Sequence, residues 1–204
     1  MAHRRTSVLM MAAGDDHLEF DAQPLQGSWT EEQYLRLSAQ TNRLIELVDG
    51  RIEVVPMPTE EHQALVEWLF LALRAFLLPR GGVVRFAPLR LRIRPGRFRE
   101  PDILLVRDAA DPRRQNDYWR GADLVVEVVS PDKPERDLID KRGAYAEAQI
   151  PEYWIVNPQS ETITVLCLEG PADVEHGVFG CSVIATSVVL EGFSVIVDAV
   201  FDAE

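Results

Sequence analysis

One stretch of the sequence, residues 122–129, constrains the fold more than any other. It reads Ala-Asp-Leu-Val-Val-Glu-Val-Val and is apolar at nearly every position. A run of this kind, without alternation between apolar and polar residues, is typical of a strand buried on both faces. The chain has 204 residues, enough for one domain built around such a strand. We therefore expect an α/β or α+β fold in which helices flank a central mixed β-sheet.

The spacing of apolar residues predicts the helices. Between residues 60 and 78, apolar side chains recur every three or four positions, which indicates a long amphipathic helix. A shorter helix is predicted over 31–40, because Thr30 and Gln33 have the spacing of a capping box. A third helix, rich in charged residues, is predicted over 134–148.

Turn residues and apolar runs predict the strands. Asp49-Gly50 lies between the runs 43–48 and 51–55, and this dipeptide readily adopts the positive φ angles of a two-residue hairpin turn. A single strand is expected over 83–94, where apolar residues and arginines alternate towards the end. Further strands are predicted over 103–106, 122–129, 153–156, 162–168, 181–190 and 193–201. Residues 1–27 are interpreted as a loose N-terminal segment that precedes a single domain over 28–204.

Composition narrows the class of protein. No apolar run approaches the roughly 18 residues that a membrane span needs, so we expect no membrane insertion. The cysteines lie in apolar runs, which favours a reduced, cytoplasmic protein over a disulfide framework. The net charge of -12 argues against nucleic-acid binding through bulk positive charge but is compatible with a local basic groove. Six arginines lie within fifteen residues: Arg85, Arg90, Arg92, Arg94, Arg97 and Arg99. The stripe formed by Arg90, Arg92 and Arg94 could line a phosphate groove, or it could be one face of an exposed hairpin.

A glutamate in the middle of the apolar strand is the main indication of chemistry. Burying ionised Glu127 is costly unless it is paired or bound to a metal. Asp102 begins the neighbouring predicted strand, and Lys141 lies one to two turns into the helix that follows Glu127. Two carboxylates could hold a hard cation such as Mg²⁺, and a lysine nearby could orient the attacking water. Alternatively, Asp137 and Lys141 form a surface ion pair, and Glu127 pairs with a strand arginine.

Several short motifs follow one another at characteristic distances. They are Glu46-Leu-Val-Asp-Gly50, His62, Glu100-Pro-Asp102, Asp123-Leu-Val-Val-Glu-Val-Val-Ser-Pro131, Asp137 with Lys141, Tyr145, and Pro151-Glu-Tyr-Trp-Ile-Val156. Through this ordered set the chain resembles the Uma2 family of restriction endonucleases, in the PD-(D/E)XK nuclease superfamily. The resemblance covers about residues 28–201 and implies a restriction-endonuclease-like core.

The resemblance assigns roles to individual residues. Asp102 corresponds to the aspartate of the PD element and would be a metal ligand, and Glu127 corresponds to the acid of the (D/E)XK element and would be the second. The lysine expected two residues later is absent, since position 129 is Val129. Lys141, on the following helix, occupies the matching position in this family. Glu46 would be a further catalytic acid, contributed by the early part of the fold.

The resemblance also implies an activity: a DNA endonuclease that depends on Mg²⁺ or Mn²⁺. A homodimer is expected, because cutting both strands requires two active sites and two-fold dimers are the commonest oligomers. The terminal strands offer apolar residues for such an interface: Val188, Val189, Leu190, Phe193 and Phe201. Two other functions stay open: a catalytically inactive module that binds nucleic acid or protein, and a metal-dependent hydrolase of small phosphate esters.

Aromatic residues and one histidine of these motifs have two interpretations each. His62, near the start of the long helix, could contact a phosphate or relay a proton. It could instead be a helix-start histidine bonded to the preceding hairpin. Tyr145, Tyr153 and Trp154 are interpreted as packing residues rather than as platforms for base stacking.

Overall fold

The fold comes from a computed structural model that describes residues 8–13, 16–21, 25–41, 43–131 and 135–203, with side chains from residue 25 onwards. The strands are β1 (Val8–Ala13), β2 (Asp16–Asp21), β3 (Ile45–Val48), β4 (Arg51–Val54), β5 (Val83–Phe86), β6 (Leu91–Arg94), β7 (Arg97–Arg99), β8 (Ile103–Val106), β9 (Leu124–Val128), β10 (Glu152–Asn157), β11 (Thr162–Glu169), β12 (Ala172–Phe179), β13 (Ile184–Thr186) and β14 (Ser194–Ile196). The α-helices are α1 (Glu31–Ser38), α2 (Glu60–Leu77), α3 (Lys141–Glu147) and α4 (Val197–Phe201).

The chain divides into two compact units. The first contains Met1–Met57 and Arg94–Glu100, and the second contains Pro58–Ile93 and Pro101–Glu204. Strand β6 spans the boundary between the two units along the chain. The division into a segment 1–27 and a domain 28–204 stays a prediction. Within that segment, β1 and β2 pair as antiparallel strands.

The first unit shows how local sequence signals determine local structure. Thr30 Oγ1 accepts a hydrogen bond from the Gln33 backbone at 3.2 Å, and Gln33 Oε1 accepts one from the Thr30 backbone at 2.9 Å. The predicted capping box at the start of α1 is therefore confirmed. The predicted hairpin is confirmed too, with β3 and β4 antiparallel and φ angles of 50° at Asp49 and 75° at Gly50. A side chain at Gly50 would also collide with the Gly27 carbonyl oxygen, 2.8 Å from an added Cβ.

The second unit is built on a six-stranded sheet in the order β12-β11-β10-β9-β8-β5. Strands β9 and β10 are parallel and the other neighbours are antiparallel, so the expected mixed sheet is confirmed. All five residues of β9 are buried. The prediction of a strand buried on both faces is therefore confirmed, because β9 is central in the sheet and covered on both sides.

Two apolar layers cover the faces of this sheet. On one face, α2 packs Leu65, Leu69, Leu73 and Leu77 against strand residues such as Val126. On the other, Ala144 and Tyr145 of α3 pack against Val125 and Ile155. Successive residues of β9 therefore alternate between the α2 layer and the α3 layer. Glu127 pairs in register with Ile155 and so projects towards α3.

The predicted single strand over 83–94 is wrong. The chain forms β5 and β6 there, separated by four residues that belong to no strand. Pro88 lies between them and has no N–H to donate to a ladder, so the strand cannot run through it. The Ala87 N–H instead donates to the Asp102 carbonyl oxygen at 3.0 Å, which holds the end of β5 beside the start of β8.

The C-terminal strand predictions are also wrong in part. Only the short β13 and β14 form within the predicted ranges 181–190 and 193–201, and residues 197–201 form helix α4 instead of a strand. Strand β12 was not predicted, because it is a largely exposed edge strand whose residues carry little apolar signal. Edge strands bury few side chains, so their sequences resemble those of loops.

The apolar residues proposed for a dimer interface are mostly part of the chain's own core. Leu190 and Phe193 are buried, and Val189 and Phe201 pack against the same core. Val188 is exposed. The homodimer stays a prediction, but most of the surface on which it rested has an internal role. Among the described residues, no helix is long and apolar enough to cross a membrane.

Candidate active site

Glu127 lies at the centre of a cluster of buried charges in the second unit. Its side chain is 1% exposed, and Oε2 lies 2.7 Å from Nζ of Lys141. The other oxygen, Oε1, accepts a hydrogen bond from the hydroxyl of Tyr145. Both partners come from α3, which covers the face of the sheet towards which Glu127 projects. Glu127 thus pairs with this lysine rather than with a strand arginine.

Lys141 is held between two carboxylates. Its Nζ also lies 2.8 Å from Oδ1 of Asp137, and the side chains of Lys141 and Asp137 are 7% and 5% exposed. The alternative of a surface ion pair is therefore wrong. The second oxygen of Asp137 accepts a hydrogen bond from the Ser130 N–H at 3.1 Å. Asp137 consequently links the end of β9 to the helix that carries the lysine.

The helix carrying these residues begins with a π-helical segment, Arg136–Asp140, rather than with the regular helix that the sequence predicts over 134–148. The N–H of Lys141 donates to the carbonyl of Arg136, five residues earlier, where an α-helix would bond four residues back. Lys133 and the predicted start at Pro134 lie outside the described residues. Single π turns occur frequently at functional sites.

Asp102 joins the cluster from the start of β8. Its Oδ2 accepts a hydrogen bond from the Val128 N–H at 2.8 Å and lies 3.2 Å from Nε2 of His62. His62 sits in the first turn of α2, where Thr59 Oγ1 caps its N–H at 3.2 Å. The imidazole of His62 is thus directed at Asp102, one of the predicted metal ligands. Its other nitrogen, Nδ1, is buried without a hydrogen-bond partner among the described residues.

The surroundings shift the pKa values of the two predicted metal ligands, Glu127 and Asp102, in opposite directions. Burial raises the pKa of Glu127 to about 8; the Lys141 ammonium opposes this rise, and the carboxylates of Asp102 and Asp137 add to it. Burial also disfavours the ionised form of Asp102, but the hydrogen bond and charge of His62 and the charge of Lys141 outweigh it and lower its pKa. Environments that split the pKa values of neighbouring acids are typical of active sites.

The pKa of His62 is shifted by the same group of charges. Burial alone would lower its pKa, but the hydrogen bond to Asp102 and the charges of Asp102 and Glu127 raise it above its ordinary value. An imidazolium next to Asp102 keeps that carboxylate ionised. Asp102 is accordingly the acid of the pair that is negative over the wider range of pH.

The donor set is compatible with a hard divalent cation. No group of three or more His, Cys, Asp or Glu side chains within the described parts of the chain could hold a metal ion. Mg²⁺, however, commonly binds through one or two carboxylates and completes its shell with water and substrate phosphates. Asp102 Oδ1 accepts no hydrogen bond from the described residues, and the repulsion between Asp102 and Glu127 would be relieved by a cation. The two acids therefore fit such an ion.

Glu46, the fourth predicted catalytic residue, belongs to the first unit. It is fully buried in β3, with Oε2 2.6 Å from Nη1 of Arg99 and Oε1 accepting the Glu100 N–H at 3.0 Å. Arg99 also lies 3.2 Å from Glu53. These contacts account for the burial of Glu46, and its catalytic role stays a prediction.

Two tyrosines contribute more to the site than their interpretation as packing residues indicated. Their rings do pack, edge to face, with centroids 4.9 Å apart. The hydroxyl of Tyr145 also binds Glu127, and that of Tyr153 donates to the backbone carbonyl of Asp137 at 2.9 Å. A buried tyrosine hydroxyl needs a hydrogen-bond partner, and this requirement was the available signal. The sequence alone could not show which partner each hydroxyl would find.

A mixed sheet covered by helices on both faces, with acids where β8 and β9 meet, places the second unit among nuclease folds of the restriction-endonuclease type. The model of one family, Uma2, described as "Putative restriction endonuclease", matches residues 31–198. The chain belongs to the Uma2 family, which confirms the resemblance drawn from its motifs.

A solved structure supports the fold independently. It is the crystal structure of "a putative nuclease belonging to DUF820" from Anabaena variabilis, which aligns with a TM-score of 0.71. The alignment covers 84% of this chain and 97% of that one, at 19% sequence identity. No curated protein matches the chain.

Proposed function

We propose that this protein is a DNA endonuclease that hydrolyses phosphodiester bonds with Mg²⁺ or Mn²⁺ as its cofactor. The observation that carries the proposal is the convergence of Lys141 on Glu127, at 2.7 Å, inside a buried cluster that also includes Asp102. A cluster of this kind costs stability unless its charges are balanced, so its presence favours a catalytic purpose. Membership in a family described as "Putative restriction endonuclease" supports this reaction class.

Asp102 and Glu127 would hold the metal ion. When bound, the ion supplies Lewis acidity to phosphate oxygens and favours deprotonation of its water. The Lys141 ammonium would stabilise negative charge that develops on the phosphate as the bond breaks, or orient the attacking water. Its position on a helix would compensate for the valine at position 129, where the superfamily motif has its lysine.

Three further residues would position the catalytic groups without touching the substrate. Asp137 fixes the lysine ammonium at 2.8 Å, and Tyr145 fixes one oxygen of Glu127. His62 orients the carboxylate of Asp102. Such positioning matters because small displacements of catalytic groups lower rates strongly.

The test is cleavage of plasmid and linear DNA by the purified protein with Mg²⁺ or Mn²⁺. We expect Lys141→Ala to lose on the order of 10²–10³ in rate, the typical cost of removing a group that stabilises transition-state charge. Lys133→Ala changes the chain's only other lysine and should cleave as the wild type does. Melting temperatures of both variants separate loss of chemistry from loss of fold.

Metal titration by calorimetry tests the ligand assignment separately. Asp102→Ala should bind Mn²⁺ much more weakly than the wild type, because it removes one of two protein ligands. Equal binding by the two proteins would remove the proposed metal site. A wild type that cleaves no DNA with any divalent metal would leave the inactive binding module as the better description.

We also propose a homodimer, on the ground that double-strand cleavage needs two active sites. Sedimentation equilibrium at micromolar concentration should then show a species of twice the chain mass. A clean monomer under those conditions would exclude it.

A further inference from the structure

The second unit contains a polar cleft of about 530 Å³. Two cationic side chains, two amides, an indole and one aliphatic side chain contribute to its lining: Arg85, Arg114, Gln115, Asn116, Trp119 and Leu89. We call it the arginine cleft. None of the residues assigned above to catalysis lines it.

The arginine cleft carries an excess of positive charge. Asp111, the one acid among the described lining residues, is bound by a neighbouring arginine: Nη2 of Arg113 lies 2.5 Å from Oδ2, and Nε lies 3.0 Å from both oxygens. Among the described residues, neither Arg85 nor Arg114 forms an ion pair or hydrogen bond with a carboxylate, although the charge of Arg114 acts on Asp111. Partial burial of its otherwise exposed side chain, and the positive charges of Arg114 and Arg74, lower the pKa of Arg85. These arginines are thus close enough to repel one another.

Arg114 has two contacts within the chain that hold its guanidinium group. Its Nη1 donates to the Ala109 carbonyl, and its guanidinium carbon lies 5.7 Å from the centre of the Trp119 ring. Its Nε is buried without a hydrogen-bond partner in the described part of the chain. A buried donor without a partner is costly.

The sheet register places the arginine cleft on the same face as the proposed active site. Arg85 pairs with Leu104, and Leu104 pairs with Val125 of β9, two residues from Glu127. Leu104 and Val125 belong to the apolar layer covered by α3, as does Ile155 opposite Glu127. Arg85 and Glu127 are thus two strands apart across the sheet and two residues apart along it, which corresponds to roughly 12 Å between their Cα atoms.

We propose that the arginine cleft binds a backbone phosphate of the DNA strand that is cut at Glu127. This inference rests on the proposed function and adds a binding site to it. Guanidinium groups bind phosphate oxygens in a bidentate manner, and the amides of Gln115 and Asn116 add neutral donors. Phosphate contacts of this kind set the register of a protein on DNA without reading its sequence. A local site is needed because the net charge of -12 repels DNA elsewhere.

The test measures binding apart from cleavage. A fluorescein-labelled DNA duplex is titrated with protein, without divalent metal, and anisotropy is followed at several salt concentrations. Arg85→Ala should weaken binding about tenfold, as expected for loss of one charge-assisted hydrogen-bond pair. It should also reduce the slope of log affinity against log salt by about 0.9, which corresponds to one phosphate contact.

Matched variants separate this site from general charge effects. Arg36→Ala removes the same charge from an exposed residue that pairs with Glu32, and should bind DNA as the wild type does. Arg114→Gln should weaken binding like Arg85→Ala, and the melting temperature of each variant reports on its fold. Because Arg85 is exposed and bonds only the neighbouring Val84 carbonyl among the described residues, Arg85→Ala should fold normally.

The outcomes distinguish this inference from the proposed function. If Arg85→Ala binds with the wild-type affinity and salt slope, or if the wild type binds no DNA, the cleft assignment is overturned. If Arg85→Ala and Arg114→Gln bind weakly while Lys141→Ala binds normally, the assignment holds. That result supports the cleft even where the wild type cleaves nothing, in which case only the endonuclease proposal fails.

Discussion

Two buried glutamates on neighbouring parallel strands have opposite kinds of surroundings. Glu127 on β9 is 1% exposed and Glu152 on β10 is 0% exposed. Among the described residues, Glu152 accepts hydrogen bonds from neutral donors only: the Trp154 indole at 2.6 Å, and the Ser187 hydroxyl and the Val188 and Val189 N–H groups at 2.7 Å each. Glu127 binds the Lys141 ammonium and the Tyr145 hydroxyl, and the carboxylates of Asp102 and Asp137 lie near enough to affect its pKa.

The comparison shows that burial of a carboxylate does not by itself indicate chemistry. The oxygens of Glu152 are satisfied by donors that fix the segment 187–189 against the sheet, which is a structural role. Glu127 has a partner that carries charge, and a raised pKa. The nature of the partners therefore distinguishes the two sites, and conservative substitutions of each should separate activity from stability.

Glu127→Gln should have the largest effect, a loss of DNA cleavage on the order of 10²–10³ or more, because an amide binds Mg²⁺ poorly. The melting temperature should change little, because the amide oxygen can still accept a hydrogen bond from Lys141. The ion pair between Lys141 and Asp137 also remains. Rates of plasmid nicking and thermal denaturation measure the two effects. Wild-type cleavage by this variant would contradict the assignment of Glu127.

Glu152→Gln should instead lower the stability and leave DNA cleavage unchanged. Its new NH₂ group would face the N–H groups of Val188 and Val189, leaving buried donors unsatisfied at a cost of about 3 kcal/mol in the free energy of unfolding. Urea denaturation measures this cost. Cleavage at a temperature where the variant stays folded should match the wild type, and a selective loss of cleavage would show that Glu152 has a role beyond structure.

The raised pKa of Glu127 predicts a pH dependence of stability. Without bound metal, the raised pKa of about 8 favours a proton on folded Glu127 at pH values where the unfolded chain, with the ordinary value of 4.5, has released it. The folded state therefore binds more protons between these values, and its stability falls as pH rises, by at most about 1.4 kcal/mol per pH unit. Glu127→Gln should lack this component. Urea denaturation of both proteins from pH 5 to 8 measures the difference, and parallel curves would contradict the pKa shift.

Tyr145→Phe should have the smallest effect. It removes the hydroxyl that binds Glu127 Oε1 but keeps the ring that packs against Tyr153. We expect a three- to tenfold slower cleavage, equivalent to roughly 1 kcal/mol, the typical net value of one hydrogen bond. Single-turnover cleavage measures it, with Tyr153→Phe as the variant that changes the neighbouring hydroxyl. A loss as large as that of Glu127→Gln would assign Tyr145 a direct catalytic role.

Several features of the fold followed from the sequence because short-range physics decides them. The capping box at Thr30, the turn at Asp49-Gly50 and the apolar spacing of α2 each depend on residues within a few positions. The central position of β9 followed as well, since only a strand covered on both faces tolerates such a run. The motif spacing then identified the family, and with it the acids and the lysine to be considered.

Other features were decided only by the tertiary structure. The exposed strand β12 and the helix α4 depend on which surfaces the rest of the chain covers, and local patterns do not report this. The break at Pro88, by contrast, has a local cause that the sequence contains, since proline has no N–H to donate to a ladder. Dependence on the rest of the chain explains why Leu190 and Phe193, read as an interface, lie in the core. It also explains the difference between Glu127 and Glu152, because the partner of a buried carboxylate comes from elements distant in sequence and is chosen by packing.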